Sequence, residues 1–205
     1  ERQRIVKRVK LKMAEISDEL QGQVIESPVI DEILDETVVE LLLRLPTHLI
    51  NSVNYPVDIS GSMGNIYAID SNVGYLILPT DFLRLSSFKM TQWHRPSVVA
   101  ISETHPEYIL QTNQYTRGGI AKPVTVLKDA GGERRLYYYS VTDNDHEVDH
   151  FYYVKSVLAE NLQSNLIDPL TWMCAAKALE IYSEDGESIA LANKRVEEWI
   201  TLNLR

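Results

Sequence analysis

The sequence predicts an α+β fold in which helices from both chain ends form a small bundle and an antiparallel, β-rich segment is inserted between them. Two observations support this prediction. Apolar residues recur at helical spacing near both ends of the chain. Glycine and proline divide the middle into short runs of alternating polarity. We therefore predict helical parts at residues 1–54 and 158–205 and a β-rich insertion at 55–157.

The bulk composition is that of an ordinary globular protein. The chain has 205 residues, of which 44% are hydrophobic and 24% are charged, enough for one well-buried core. No apolar run approaches the roughly 18–20 residues that span a bilayer, and the charged N-terminus is not typical of a secretory signal. The single cysteine, Cys174, excludes an internal disulfide and suits a reducing compartment. We expect it to pack as a small hydrophobic residue.

Charge is distributed unevenly along the chain. The net charge of −9 disfavours a general binder of DNA or membranes, which needs a basic surface. Six basic residues nevertheless lie among the first dozen: Arg2, Arg4, Lys7, Arg8, Lys10 and Lys12. The segment Glu15–Glu40 then has nine acidic residues and no lysine or arginine. This polarity suits head-to-tail stacking or docking on an oppositely charged partner, although solvated helix faces are the simpler explanation of either run.

Two amphipathic helices are predicted before residue 46. The first carries an apolar stripe at spacings of three and four residues and is expected to end near Gly22. The stripe consists of Ile5, Val9, Met13, Ile16 and Leu20. The second begins at Ser27-Pro28, which supplies an N-cap and a first-turn proline. It ends before Pro46, because proline disfavours helical geometry in the residue that precedes it.

Short strands are predicted in the middle segment, and helices return after it. The strands are expected near Asn65–Ile69, Gly74–Leu78, Phe82–Trp93, Arg95–Glu103, Lys122–Lys128, Arg134–Val141 and Phe151–Val157. Lys122–Lys128 and Arg134–Val141 form a predicted hairpin with a five-residue glycine loop, Asp129–Glu133. Glu107–Thr112 is predicted as one helical turn. Asp168-Pro169 caps a helix at Leu170–Tyr182, and Gly186 separates it from a final helix.

The acidic loop Asp143–Asp149 does not match a known metal motif. A calcium loop needs a glycine at its sixth position and a bidentate acid at its twelfth, where this chain has Val148 and Val154. A zinc site needs further cysteine or histidine ligands near His146 and His150. A solvated acidic loop is the better interpretation, and we expect no metal or other cofactor.

Catalytic motifs are equally hard to find. Ser62 lies between glycines but lacks the spacing of a nucleophile elbow. No partner is recognised in the sequence for the loop histidines His94, His105 and His146. The aromatic run Tyr137–Tyr139 beside Arg134 fits a base-stacking strand or, more commonly, an interface strand. We therefore predict no catalytic residues and a protein that is not an enzyme.

Four segments follow one another in an order that resembles a known family. They are an amphipathic helix at Asp31–Pro46, a strand leading into Leu78–Leu85, a polar segment at Tyr108–Tyr115 followed by Lys122-Pro123-Val124, and an alanine-bearing helix at Met173–Tyr182. The order resembles that of the head-to-tail adaptor, or neck ring, proteins of tailed bacteriophages. The lengths of the Arg117–Lys122 and Asp143–Asp149 loops resemble the variety from large podovirus-like phages, such as the crAss-like group.

The resemblance implies a structural virion protein. Proteins of this family form a ring, usually of twelve copies, beneath the portal, and the ring extends the DNA channel towards the tail. It implies a homo-oligomer with two partners, the portal protein and the next neck or tail ring. It also implies assembly in the host cytoplasm, residence in the virion neck, no membrane contact, and DNA that passes through without sequence-specific binding.

Two charged groups would act in such a ring. The expected contacts with the portal or a neighbouring ring are Arg2, Arg4, Lys7, Arg8, Lys10 and Lys12. Acids in the bore would let DNA slide, because negative walls repel phosphates. The candidates are Glu15, Asp18, Glu19, Asp143, Asp145, Glu147 and Asp149.

Two alternative functions fit the same sequence. One is another virion ring, such as a tail-completion or tail-tube protein, which partner identity would distinguish. The other is a small nucleic-acid-binding regulatory protein that uses its basic N-terminal helix. That protein would bind nucleic acid as a monomer in a salt-dependent way.

Overall fold

The computed structural model describes residues 1–17, 27–54, 66–141, 146–182 and 186–204. The architecture is α+β, as predicted, with helices towards both chain ends and strands between them. The chain divides into a helical unit, formed by Glu1–Asn51 and Ser156–Arg205, and a β-rich unit, Ser52–Lys155. The helical unit therefore contains both ends of the chain, and the β-rich unit lies within one continuous stretch of sequence.

The helical unit is organised around one central helix. The five α-helices of the described chain are α1 (Arg2–Ile16), α2 (Ser27–Arg44), α3 (Pro106–Gln111), α4 (Ile167–Tyr182) and α5 (Gly186–Asn203). Helix α4 contacts α1, α2 and α5, and every residue from Pro169 to Ala176 is buried. A helix that is apolar on all sides must be enclosed by others. Within the described residues, no helix is both long and apolar enough to cross a membrane.

Helix α1 ends earlier than its apolar stripe predicts. It stops at Ile16, and Ser17 is already extended, whereas the predicted end was near Gly22. The hydroxyl of Ser188 on α5 donates a 2.7 Å hydrogen bond to the carbonyl oxygen of Ile16, which satisfies one of the carbonyls left open at a helix end. Leu20 and Gly22 lie outside the described residues.

The β-rich unit contains two sheets. Its strands are β1 (Val53–Asn54), β2 (Ile66–Ala68), β3 (Gly74–Ile77), β4 (Phe82–Met90), β5 (Ala100–Ser102), β6 (Thr125–Ala130), β7 (Glu133–Tyr138) and β8 (Val148–Lys155). One sheet has the order β1-β8-β4 and the other β2-β3-β7-β6-β5. A buried core with many aromatic residues includes Phe88, Phe151, Tyr138 and Trp93. The Phe88 ring meets the Phe151 and Trp93 rings edge to face, at 6.0 and 5.5 Å between centroids.

Three details of the β-rich unit differ from the sequence prediction. Strands β5 and β6 run parallel, although the segment was predicted to be antiparallel. The strand predicted at Arg95–Glu103 is only the three residues of β5. The predicted five-residue loop at Asp129–Glu133 is a two-residue turn, because Ala130 pairs with Glu133. Gly131 and Gly132 occupy the turn with φ of +65° and +80°, a conformation that glycine adopts without steric cost.

Burial determines the chemistry of Cys174. Its side chain is fully buried in α4, as the sequence predicts, and this burial raises the pKa of the thiol to about 12. We expect Cys174 in the native protein to react with a thiol reagent only at the rate of unfolding. The measurement is the rate of disulfide exchange with a chromogenic reagent, with and without denaturant. Rapid labelling of the native chain would contradict the buried position.

Gly74 marks a close approach in the second sheet. A β-carbon added there would overlap the hydroxyl of Tyr138 and lie 2.6 Å from the carbonyl oxygen of Tyr67. We expect Gly74→Ala to lower the free energy of unfolding by about 1–3 kcal/mol, as overpacking of a filled core does. Gly119→Ala is the matched control, since nothing lies within 4 Å of the added atom. Denaturant titrations of both variants measure the difference, and equal stabilities would show that the site has room.

Candidate functional site

The candidate site is the outer face of α1. The opposite face of this helix is buried and consists of Ile5, Val6, Val9 and Met13. Arg4, Lys7, Arg8 and Leu11 are exposed, and Leu11 keeps 61% of its surface accessible. Three basic side chains thus surround an exposed leucine. A face of this composition can dock on an acidic surface that has an apolar patch.

Arg2 belongs to the predicted basic group but binds within the unit. Its Nε donates to Asp31 Oδ1 at 2.9 Å, and its Nη1 lies 2.9 Å from Asp35 Oδ2. Nη2 also donates to the backbone carbonyl of Asp31 at 2.8 Å. The hydrogen bond to Asp35 raises the pKa of Arg2 further above its usual range. Arg2 therefore fastens α1 to α2, and its guanidinium is already committed to these carboxylates.

The remaining basic residues of α1 divide into two kinds. Lys12 Nζ lies 4.2 Å from the ring centroid of Trp172 and 3.4 Å from Glu15 Oε2. Its charge therefore interacts with α4 and with its own helix. Lys10 is half-buried and lines a cavity of about 350 Å³ with Lys7 and Asp31. The structure thus presents Arg4, Lys7 and Arg8 on the outer face, whereas Arg2 and Lys12 make internal contacts.

The predicted channel acids that the structure describes belong to both units. Glu15 is exposed on α1. Glu147 and Asp149 are exposed in the β-rich unit, where Asp149 lies 3.0 Å from Lys89 Nζ. The other four candidates, Asp18, Glu19, Asp143 and Asp145, lie outside the described residues. Among the residues that the structure does describe, no three histidine, cysteine or acidic side chains are placed to hold a metal ion.

A serine, a histidine and an aspartate that the sequence analysis missed lie in a row across β4 and β8. Ser87 Oγ is 2.8 Å from His150 Nε2, and His150 Nδ1 is 3.3 Å from Asp149 Oδ2. The order is that of a hydrolytic triad. The amide of Phe88, which follows the serine, already donates to the carbonyl of Ser97 at 2.9 Å and cannot stabilise an oxyanion. We interpret the row as a cross-strand hydrogen-bond network.

Sequence could not reveal this row because it depends on the register of two irregular strands. The pairing of β4 with β8 shifts between Leu85 and Ser87 and again between Lys89 and Met90. Each shift changes which side chains share a face of the sheet. The serine and the histidine are therefore brought together by bulges that have no clear signature in the residues.

His146 also has partners that the sequence does not indicate. Its Nε2 lies 3.1 Å from the carbonyl oxygen of Asp70, and its Nδ1 lies 2.9 Å from the hydroxyl of Tyr138. Since a carbonyl only accepts, Nε2 carries the proton and Nδ1 accepts from the phenol. Burial raises the pKa of Tyr138 well above its usual value, so the phenol stays protonated over a wider range of pH than an exposed tyrosine does.

The tyrosines of the second sheet do not form a free stacking platform. Tyr138 and Tyr139 are buried. Tyr137 lies beside Tyr75, which stacks on Tyr67 with 5.0 Å between ring centroids. This spacing is close to the distance between neighbouring strands, so the rings cover one another. Arg135 lies 4.5 Å above Tyr75. The tyrosine rings of this run therefore lack the open faces that stacking on bases requires.

No family model matches this chain, and no curated protein is significantly similar to it in sequence. The resemblance to phage adaptors thus stays a prediction from the motifs themselves.

Lys89 controls the ionisation of Asp149. The hydrogen bond from Lys89, followed by that from His150, lowers the pKa of Asp149 below its ordinary value. A carboxylate whose pKa is lower in the folded state stabilises the fold above its unfolded pKa, and this contribution is lost as pH falls through the folded pKa. We expect Lys89→Met to raise the pKa of Asp149 towards the ordinary value, as measured by NMR titration of the carboxyl carbon.

The control for this titration is Lys122→Met, which removes an exposed lysine from the same unit. It should leave the pKa of Asp149 unchanged. An equal rise in both variants would mean that the total charge, rather than the Lys89 contact, sets the ionisation of Asp149.

Proposed function

We propose that this protein is a structural component of a tailed-phage virion, a ring-forming adaptor that joins the capsid portal to the tail and extends the DNA channel. The proposal rests on the ordered motifs between Asp31 and Tyr182 and on one structural observation. That observation is the outer face of α1, where Arg4, Lys7 and Arg8 surround the exposed Leu11.

The motifs that carry the resemblance divide between the two units. Asp31–Pro46 includes most of α2, and Met173–Tyr182 is the second half of α4; these helices contact each other. Leu78–Leu85 joins β3 to β4, and Tyr108–Tyr115 includes most of α3. In an adaptor of this kind, the paired helices would give the ring its rigid wall. The β-rich unit would supply contacts to neighbouring copies or to the next ring.

The outer face of α1 suits docking because two of its charges, those of Lys7 and Arg8, form no ion pair within the described residues, while Arg4 pairs only with Glu1 of the same chain end. Lys7 and Arg8 are exposed, and the helix is held by its buried side and by Arg2. Removing exposed rim charges from an interface mainly slows association and changes its salt dependence. The proposed partner surface is an acidic face of the portal with room for the Leu11 side chain.

Contacts between copies would use an edge of the five-stranded sheet. Strand β5 is at that edge, and Val98 and Val99 just before it are 56% and 67% exposed. Ile109 on the adjacent α3 is 71% exposed. An unpaired sheet edge can pair with another chain, and the exposed apolar side chains beside β5 favour contact with one. The acidic net charge of the chain favours DNA that slides past rather than binds.

The test is the mass of the purified full chain, alone and mixed with the portal protein of the same phage at low salt. We expect a monomer or small oligomer alone and a ring on the portal. The double variant Lys7→Glu/Arg8→Glu should bind the portal at least about tenfold more weakly, because it reverses two rim charges.

The control is Lys194→Glu/Arg195→Glu, which reverses two exposed basic residues on α5 that pair with Glu198 of the same helix and should leave portal binding within about twofold. If the unmodified chain fails to bind the portal, the adaptor proposal is wrong. A ring that forms without the portal and ignores it would indicate another virion ring. Salt-dependent binding of nucleic acid by the monomer would indicate a regulatory protein instead.

A further inference from the structure

The β-rich unit contains a cavity of about 440 Å³ whose lining includes no residue of α1 or of the Ser87 row. The residues that line it include Asn72, Tyr115, Arg117, Ile120 and Ser140. Cavities of this size hold small organic ligands. Two of its side chains, those of Ser140 and Arg117, are placed in ways that the fold itself does not explain.

Ser140 has a strained backbone, and its hydroxyl has no hydrogen-bond partner among the described residues. Its φ is +68°, and it is the single non-glycine residue with positive φ in the described chain. It is 8% exposed, yet its Oγ makes no hydrogen bond to any described residue. A buried hydroxyl without a partner and a left-handed serine both cost stability. In native proteins, strained backbones and unpaired buried polar groups occur most often at active sites and ligand-binding sites.

Arg117 is a cation for which the described residues provide no counter-charge. It is half-buried, and within the described residues it forms no ion pair. The cavity lining described here contains no acidic side chain. A partly desolvated guanidinium presents a planar set of donors that matches a carboxylate or a phosphate. The charge of the site therefore favours an anion.

The cavity wall is held in place by its own hydrogen bonds. Gly118 N donates to Gln111 Oε1 at 2.9 Å, which fixes the loop beside Arg117. Across the cavity, Asn72 Nδ2 donates to the Val141 carbonyl at 2.7 Å, and Val141 N donates to the Asn72 carbonyl at 3.1 Å. These bonds anchor the residue that follows Ser140. A site with fixed walls loses little entropy when a ligand binds.

We propose that this cavity binds a small molecule carrying an oxyanion, either a carboxylate or a phosphate group. Arg117 pairs with the oxyanion, and the Ser140 hydroxyl donates to it. Ile120 and the exposed ring of Tyr115 cover the rest of the ligand. This site is independent of the proposed ring function, since its residues belong neither to the α1 face nor to β5.

The experiment is an amide NMR titration of the full chain with inorganic phosphate, with glutarate and with glutaramide as the neutral analogue. We expect saturable shifts at Gly118, Gly119 and Ser140 with at least one anion, and none with glutaramide. The anion that binds more tightly identifies which oxyanion the site prefers. Arg117→Gln should raise the Kd at least about tenfold, as loss of a charge-assisted pair does.

Ser140 variants separate strain from binding. Ser140→Ala removes the hydroxyl and should weaken anion binding without loss of stability, because that hydroxyl has no partner in the described fold. Ser140→Gly should also weaken binding but raise the melting temperature, since glycine adopts positive φ without a steric cost. A stabilised variant that has lost binding cannot be dismissed as misfolded.

Arg95→Gln is the charge control, as Arg95 is exposed in the same unit and is not among the residues that line the cavity. It should change the Kd less than about twofold. Three results would overturn the proposal: no saturable shift with either anion, equal shifts with glutaramide, or equal losses in Arg117→Gln and Arg95→Gln. None of them bears on portal binding, which is measured separately.

Discussion

The packing of α4 is the interaction on which the helical unit depends. This helix follows the β-rich unit in sequence, yet it contacts α1 and α2, which precede that unit, as well as α5. Burial from Pro169 to Ala176 means that neither end of the chain can form its core alone. Along the chain, the β-rich unit is therefore one long loop, and the packing of the helices joins the two ends of that loop. Forming such a non-local contact requires the entropy of closing the loop, so the apolar gain at α4 must exceed that cost.

The basic residues of α1 have two kinds of environment: some make contacts within the helical unit, and others are exposed to solvent. Arg2 is committed to Asp31 and Asp35 on α2, and Lys12 lies above Trp172 on α4. These contacts fix the rotation of the helix about its axis. Because that rotation is fixed, Lys7 and Arg8 are held outward on a rigid element. A helical, exposed, charged face loses less entropy on docking than a flexible basic tail would, which is consistent with the contact proposed for it.

The sequence predicted the elements well and their pairings poorly. Periodicity predicted α1, α2 and the paired terminal helices, because each buries one stripe or, for α4, an almost wholly apolar segment. It also predicted the β6–β7 hairpin, although the glycines of its turn were assigned to a longer loop. Periodicity did not predict the strand register or the bulges, and it therefore did not predict the Ser87–His150 contact. The basic group was recognised as a run, but only the structure separates the internal Arg2 from the outward Lys7.

The buried polar atoms without a hydrogen-bond partner in this fold differ in their surroundings, and this difference distinguishes a tolerated defect from a binding site. Ser17 Oγ, Trp93 Nε1 and Gln163 Oε1 also lack partners among the described residues. None of these three lines the cavity of about 440 Å³ or the one of about 350 Å³, and none has positive φ. Ser140 combines a hydroxyl without a partner among the described residues, a strained backbone and a place in the lining of the same cavity as Arg117. A glycine there would relieve the strain and remove the unpaired hydroxyl together. A serine that keeps both costs at a cavity wall is therefore better explained by a ligand than by folding.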